Sequence, residues 1–235
     1  MLSKKHNENY EGQGTVMKKW AFVSDFDGTI SKKDFYWIVI DHYFPEGKEL
    51  FKEWKNGSIK DIDFLSTVFS AIHQDEDQII RDVHGIPIDE HVPAFVKAVQ
   101  QSGGDFYILS AGTDYYIKHI VEKYGLEQVI ILSNEGVFKE RNIHLNINKD
   151  DWKYSERYGI DKAIVIQKLK EQYDKVYFAG DSEPDSHPAA FADITFARDV
   201  LKDLLAEKEI EFIPFDSFKE IENELVKNGV IITNK

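Results

Sequence analysis

Short apolar runs punctuate this chain at Trp20–Ser24, Phe106–Leu109, Val129–Leu132, Val176–Ala179, Ile194–Ala197 and Glu211–Pro214. Several lack the polar–apolar alternation of a half-exposed strand, so they read as strands buried on both faces of a parallel sheet. Helical spacing separates them, at Pro93–Ser102, Tyr115–Lys123, Lys162–Tyr173, Pro188–Ala192, Val200–Glu207 and Phe218–Val226. Strand–helix alternation of this kind predicts an α/β fold, an open, doubly wound and mainly parallel sheet. Its ligands would bind beyond the carboxyl ends of the strands.

The alternation breaks once. Residues 34–92 carry helical stretches at Asp34–Tyr43, Gly47–Lys55, Ile59–Ile72 and Glu76–Val83 and no clear strand. A helical block inserted directly after the first strand reads as a small cap domain that closes over the strand ends and excludes water. The core domain is then expected to comprise residues 17–33 and 93–235. Between Ser133 and Trp152, turn residues alternate with Val137-Phe138 and Ile143–Ile147, which predicts a β-hairpin beside the site. Residues 1–16 are polar and Gly-rich, and the expectation is a disordered extension with Met17 as the native start.

The 235 residues suffice to bury a full core, and 42% apolar with 30% charged residues is a globular composition. A net charge of −13 argues against nucleic acid or an anionic membrane as partner. A phosphorylated substrate stays compatible, because a bound cation inverts the local field. Cysteine is absent, which removes disulfide, thiolate and Cys-type zinc chemistry and fits the cytoplasm. No run approaches the ~20 apolar residues of a membrane span, and the first residues lack the apolar segment of a signal peptide. A small phosphomonoester as partner, and a homodimer as the assembly, are both compatible with this balance.

Four segments fall at the predicted strand ends: Asp25-Phe26-Asp27-Gly28-Thr29, Ser110 in Ile108-Leu109-Ser110-Ala111-Gly112, Lys162 in Asp161-Lys162-Ala163, and Gly180-Asp181-Ser182-Glu183-Pro184-Asp185. Asp25 is placed to attack phosphorus as a carboxylate nucleophile, splitting hydrolysis into two easier steps. Asp27 is placed to protonate the leaving oxygen and then to activate water, a role that needs a raised pKa. Gly28 permits a tight turn whose surrounding amides, at Phe26 and Thr29, can hold phosphate oxygens; Thr29 either caps the turn or touches the phosphate.

Asp25, the backbone carbonyl of Asp27, and Asp181 form a partial oxygen shell of the kind Mg²⁺ prefers. Converging carboxylates would repel one another without such a cation. Asp185 is expected to orient metal-bound water or Lys162, or else to cap the Pro188–Ala192 helix. Ser110 would donate to a phosphate oxygen, with the Ala111 and Gly112 amides at a helix start. Lys162, for which Lys153 and Lys168 are competitors, would neutralise the phosphoryl group and Asp25. Asp34 is either a substrate contact or the cap of the first inserted helix. Aromatic and basic residues of the inserted block (Tyr36, Trp37, His42, Tyr43, Trp54, Arg81, His84) are candidates for lining the leaving-group pocket.

Taken in this order, these segments resemble the haloacid dehalogenase-like superfamily, over nearly the whole core. The resemblance implies a Rossmann-like core, Mg²⁺ and an aspartyl-phosphate intermediate. Asp27 implies a phosphatase, since dehalogenases lack this second carboxylate. A helical insertion between the first motif and Ser110 looks like subfamily IB, which contains phosphoserine phosphatase; there an acidic residue at the position of Asp34 binds the substrate ammonium. The stretches Phe106–Tyr116, Phe196–Asp199 and Ile213–Phe218 look like the methionine-salvage phosphatases. Their cysteine-rich segment has no counterpart at Trp152-Lys153-Tyr154. Alternatives from the same residues are phosphotransfer to a small acceptor and a phosphoserine-type phosphatase; a non-enzymatic phosphate-ester sensor is disfavoured by the intact set.

Overall fold

The computed structural model describes residues 20–126 and 128–232, so the expected extension and the Met17 start lie outside the described residues. In chain order the elements begin with β1 (Ala21–Ser24), followed by α1 (Phe35–His42), α2 (Gly47–Lys55), α3 (Asp61–Phe69), α4 (Glu76–His84) and α5 (Val92–Gln101). Next come β2 (Asp105–Thr113), α6 (Asp114–Lys123), β3 (Ile130–Lys139), β4 (Asn142–Asn146), β5 (Tyr154–Ser155), β6 (Gly159–Ile160) and α7 (Lys162–Lys170). The chain then forms β7 (Val176–Gly180), a 3₁₀ turn at Glu183–Asp185, α8 (Ser186–Ala189), β8 (Ile194–Ala197), α9 (Asp199–Glu207), β9 (Ile213–Pro214) and α10 (Phe218–Lys227). None of the described helices is long and apolar enough to cross a membrane.

One sheet has the order β4-β3-β2-β1-β7-β8-β9, parallel throughout except for the β3–β4 pair. The chain winds outward from β1 in both directions, so the cleft-forming switch point lies at β1. Ser24 is level with Ile108 on β2 and with Ala179 on β7. Asp25, Ser110 and Asp181 therefore emerge within two residues of the same level, at one edge.

β1 is buried on both sides, which explains its unalternated sequence. Phe22 points into the layer formed with α5 and α10, whereas Ala21 and Val23 join the layer under α7 and α9. The Phe22 ring meets Phe95 edge-on at 4.8 Å and stacks on Phe106 at 5.6 Å.

Several boundaries differ from the sequence reading for local reasons. β2 continues past Leu109 to Thr113, but its pairing with β3 is irregular between those residues. Ser110, Ala111 and Gly112 thus occupy a strand bulge, not a helix start. Helix α6 begins only after Thr113, whose hydroxyl accepts from the Tyr115 amide. The helix expected at Pro188–Ala192 is the shorter α8, and the one expected to reach Tyr173 ends at Lys170. The 59–72 helix is limited to Asp61–Phe69. The expected hairpin forms from the end of β3 and from β4, and the small β5–β6 hairpin adds a feature the sequence reading lacked.

Because Phe22 is fully buried among three other rings, Phe22→Ala should destabilise the fold by about 3–5 kcal/mol. Equilibrium urea unfolding measures this; a loss under about 1 kcal/mol would mean that the β1 face is not the centre of the core.

Candidate active site

The loop after β1 begins with Asp25, whose amide donates to the Ala179 carbonyl at 2.9 Å and so ties the loop to β7. Gly28 takes a φ of +85°, which L side chains rarely adopt, and a Cβ there would lie 2.4 Å from Asp181 Oδ2. Glycine at this point therefore shapes the turn and leaves space for a carboxylate from the neighbouring strand. The Thr29 hydroxyl, expected at the turn or the phosphate, donates to Asp181 Oδ1 at 3.1 Å. Phe26 is fully buried, its ring 5.8 Å from that of Tyr116.

Lys162 opens α7. Asp161 caps that helix by accepting from the Ala163 and Ile164 amides, which sets Lys162 in the first turn facing the sheet edge. Its buried ammonium donates to Asp25 Oδ1 at 2.5 Å and to Asp185 Oδ1 at 2.7 Å. The competing lysines are engaged elsewhere, Lys153 with Asp151 and the exposed Lys168 with Glu171. Asp185 Oδ2 accepts from the Asp181 and Ser182 amides at 3.0 and 3.2 Å. Its side chain does not cap α8; it braces Lys162 and the loop after β7.

Asp25, Asp181 and Asp185 each offer one carboxylate oxygen within 4.8 Å of the others. Asp25 Oδ2 is buried and accepts no hydrogen bond from the protein. With the Asp27 side chain beside them, four carboxylates face a single ammonium. An all-oxygen donor set with uncompensated negative charge fits a hard divalent cation such as Mg²⁺.

Asp27 lies outside the three-carboxylate cluster. Its Oδ2 accepts from the Tyr116 hydroxyl at 2.5 Å and, at 3.5 Å, from Ser110 Oγ, while Oδ1 is buried and unpartnered. The Gly112 amide, considered as a phosphate donor, points to Ser110 Oγ at 3.0 Å. The Ala111 carbonyl is held by the Asn134 side chain at 2.8 Å. Asp34 stands at the N-cap position of α1 but forms no capping bond with its side chain. It shares a hydrogen bond with the Tyr36 hydroxyl and lies near Lys55.

Burial and the neighbouring charge of Asp185 push the Asp25 carboxyl up to about 7 against the pull of Lys162. Burial, then Asp34, raises Asp27 well above the carboxylate range, although the Tyr116 hydrogen bond opposes this. Burial, with Asp25 and Asp185 adding, does the same to Asp181. Burial lowers the proton affinity of Lys162, but Asp185 and Asp25 more than offset it, so its pKa rises and it stays charged.

These groups line a cleft of roughly 400 Å³. Its outer wall includes Tyr36 and Trp54, as expected, together with Lys55, Leu65, Arg157 and Val200. Trp37, His42, Tyr43, Arg81 and His84 do not reach it. Arg157 comes from the β5–β6 hairpin and pairs with Asp61 at 2.9 Å, and Lys55 lies over the Trp54 ring. Sequence reading missed both cations, because a lysine at the end of an amphipathic helix and an arginine in a turn ordinarily read as solvated. Tyr116 ends the Phe106–Tyr116 stretch quoted for the resemblance, but the sequence reading gave it no role at the site.

A family model described as haloacid dehalogenase-like hydrolase matches residues 22–187. Similar chains include the 2-hydroxy-3-keto-5-methylthiopentenyl-1-phosphate phosphatase of Bacillus pumilus (strain SAFR-032), 32% identical over 219 residues, with 87% of this chain and 94% of that one covered. The protein of the same name from Lysinibacillus sphaericus (strain C3-41) is 32% identical, with 83% and 89% covered. Among solved structures, a phospho-aspartyl intermediate analogue of phosphoserine phosphatase superposes with a TM-score of 0.65 at 19% identity, over 88% of this chain and 99% of that one. That last likeness is one of fold.

A carboxyl whose pKa is higher folded than unfolded stabilises the fold fully below its unfolded value and loses that contribution as pH rises through the folded value. For Asp25 the window runs from 3.8 to about 7, and Asp27, Asp34 and Asp181 shift in the same direction. Chelator-treated protein should therefore melt at a lower temperature at pH ~8 than at pH ~5.5, and Asp181→Asn should flatten the difference. A melting temperature that climbs over this interval would contradict the crowding of carboxylates described here.

Proposed function

Since the chain belongs to the haloacid dehalogenase-like hydrolases, we propose that it is a Mg²⁺-dependent phosphatase of a small phosphomonoester, working through an aspartyl-phosphate on Asp25. One observation carries the reading. Each of the two loop aspartates has one oxygen tethered and one unpartnered: Lys162 holds Asp25 Oδ1 and leaves Oδ2, while Tyr116 holds Asp27 Oδ2 and leaves Oδ1. A nucleophile and a proton donor, each with one oxygen free of protein hydrogen bonds, is the arrangement that in-line displacement followed by hydrolysis needs.

In the first step Asp25 Oδ2 forms a bond to phosphorus. The ester P–O bond breaks with its electron pair going to the leaving oxygen, which takes the proton from Asp27 Oδ1. In the second step Asp27 removes a proton from water as the water oxygen attacks phosphorus; the bond to Asp25 breaks and restores its carboxylate. Asp25, Asp181 and the backbone carbonyl of Asp27 would hold Mg²⁺, which when bound offsets the charge of the carboxylates and of the phosphoryl oxygens. Lys162 neutralises the same oxygens from the other side, kept in place by Asp185. Ser110 would supply a hydroxyl donor to the phosphoryl oxygens, with the amides at the start of the loop after β1 and of Ala111. Residues 34–92 act as the cap, and Tyr36, Trp54 and Leu65 form its wall over the leaving group.

The methionine-salvage ester named for the relatives is the preferred substrate candidate. The cleft supports it over an amino-acid phosphate, because Asp34 is already engaged by Tyr36 and accompanied by Lys55, and Tyr36, Trp54, Leu65 and Val200 give the wall an apolar face beside its charged residues.

Phosphate release should be followed over a panel containing that enol phosphate, phosphoserine, sugar phosphates and pyridoxal phosphate. Turnover should vanish in EDTA, return with Mg²⁺, and be abolished by Asp25→Asn. Asp27→Asn should lower kcat on the order of 10²–10⁴-fold while metal affinity stays close to wild type. Turnover that survives Asp25→Asn would remove the nucleophile from this reading, and full activity in chelator would remove the metal.

A further inference from the structure

We propose that Tyr116 is a positioning residue for the acid–base step: its hydroxyl clamps Asp27 Oδ2 so that Oδ1 alone meets the leaving-group oxygen. The inference rests on the phosphatase reading above and adds to it a residue to which the sequence reading gave no role at the site.

The geometry is specific. Tyr116 Oη lies 2.5 Å from Asp27 Oδ2, whereas Ser110 Oγ reaches the same oxygen only at 3.5 Å. Tyr116 is therefore the principal donor to that oxygen, and it can donate there while the proton of the acid sits on Oδ1. The ring is almost wholly buried and cannot swing away. Phe26 approaches it at 5.8 Å from the catalytic loop, Phe35 of α1 at 5.2 Å and Phe69 of α3 at 6.2 Å. Three rings from two different parts of the chain thus fix the direction of one hydroxyl.

The bulge in β2 is shaped around this pair. A Cβ on Gly112 would fall 1.8 Å from Tyr116 Oη and 2.9 Å from Asp27 Oδ2, so any side chain there would drive the two groups apart. Gly112, first considered as a phosphate-binding amide, is on this view the clearance through which the tyrosine reaches the carboxylate.

Removing only the hydroxyl with Tyr116→Phe leaves the buried ring and its packing. Asp27 would then be free to rotate, and proton delivery to the leaving oxygen would weaken. The loss should grow with the basicity of the leaving group, because a good leaving group departs with little protonation. The experiment measures kcat/KM for a series of aryl phosphates from 4-nitrophenyl to 4-methoxyphenyl, in wild type, Tyr116→Phe, Asp27→Asn and the double variant. The melting temperature of each variant confirms its fold.

The expected result is a loss on the order of tenfold or more for the poorest leaving group in Tyr116→Phe and little loss for the 4-nitrophenyl ester. Adding Tyr116→Phe to Asp27→Asn should cost nothing further, since the clamp acts only through Asp27. An equal loss across the series, no loss at all, or full additivity in the double variant would overturn the assignment while leaving the phosphatase reading intact. Wild-type protein that hydrolyses neither these esters nor any in the metabolite panel would instead overturn that reading, and the inference with it.

Discussion

A lysine ammonium stays buried only when its charge is matched at contact distance, and Lys162 meets that condition by lying between Asp25 and Asp185. Each of the three groups is itself held by secondary structure. Asp161 caps the helix that carries the lysine, the Asp25 amide is bonded to β7, and Asp185 accepts two amides of the loop that follows β7. This triad fastens α7, β1 and β7 together at the edge where the chain reverses its direction of winding. It also leaves the edge strongly negative, because Asp27 and Asp181 crowd the same space and, among the described residues, Lys162 is the cation bonded to these carboxylates. The charge imbalance makes a divalent cation the natural complement of the site.

The triad has a second consequence, for chemistry. By taking Oδ1 of Asp25, Lys162 leaves Oδ2 as the oxygen that the proposed reaction would use. The same logic operates at Asp27, where the tether is a phenol in place of an ammonium. Two carboxylates only two residues apart thereby receive different surroundings: one stands beside a permanent cation, the other among aromatic rings and acidic neighbours that favour its protonated form. On the proposed reading, environment, with no difference in residue type, is what separates a nucleophile from an acid. The helical block contributes to that environment directly, because Phe35 and Phe69 support Tyr116. It is also bound to the β5–β6 hairpin by the Arg157–Asp61 and Lys60–Glu156 pairs and by the Ile62 amide on the Arg157 carbonyl.

The strand runs were readable because burial on both faces leaves an unbroken apolar signature, as at Ala21-Phe22-Val23. The doubly wound parallel sheet followed from them, and Asp25, Asp27, Ser110, Lys162 and Asp181, singled out at the strand ends, line one cleft. What escaped notice was set by tertiary placement. The bulge at Ser110–Gly112 has no local signal, since its irregularity is a matter of register against β3. Asp34 carries the side chain of a helix cap, yet a nearby tyrosine hydroxyl competes for it. Tyr116 ends a stretch quoted for the family resemblance, but nothing local says that its hydroxyl reaches Asp27, a contact made by tertiary packing alone. Lys55 and Arg157 come from distant segments and meet only at the wall of the cleft.

The central claim is that Asp25 Oδ2 becomes covalently bonded to phosphorus. The most direct measurement mixes the protein with Mg²⁺ and 4-nitrophenyl phosphate, quenches in acid during turnover, and reduces with borohydride, which converts an acyl phosphate to an alcohol. Peptide mass spectrometry then locates the reduced residue. Conversion of Asp25 to homoserine, dependent on substrate and metal and absent from Asp25→Asn, is the predicted result. Reduction at another carboxylate, or turnover with no trapped acyl phosphate under single-turnover conditions, would contradict it.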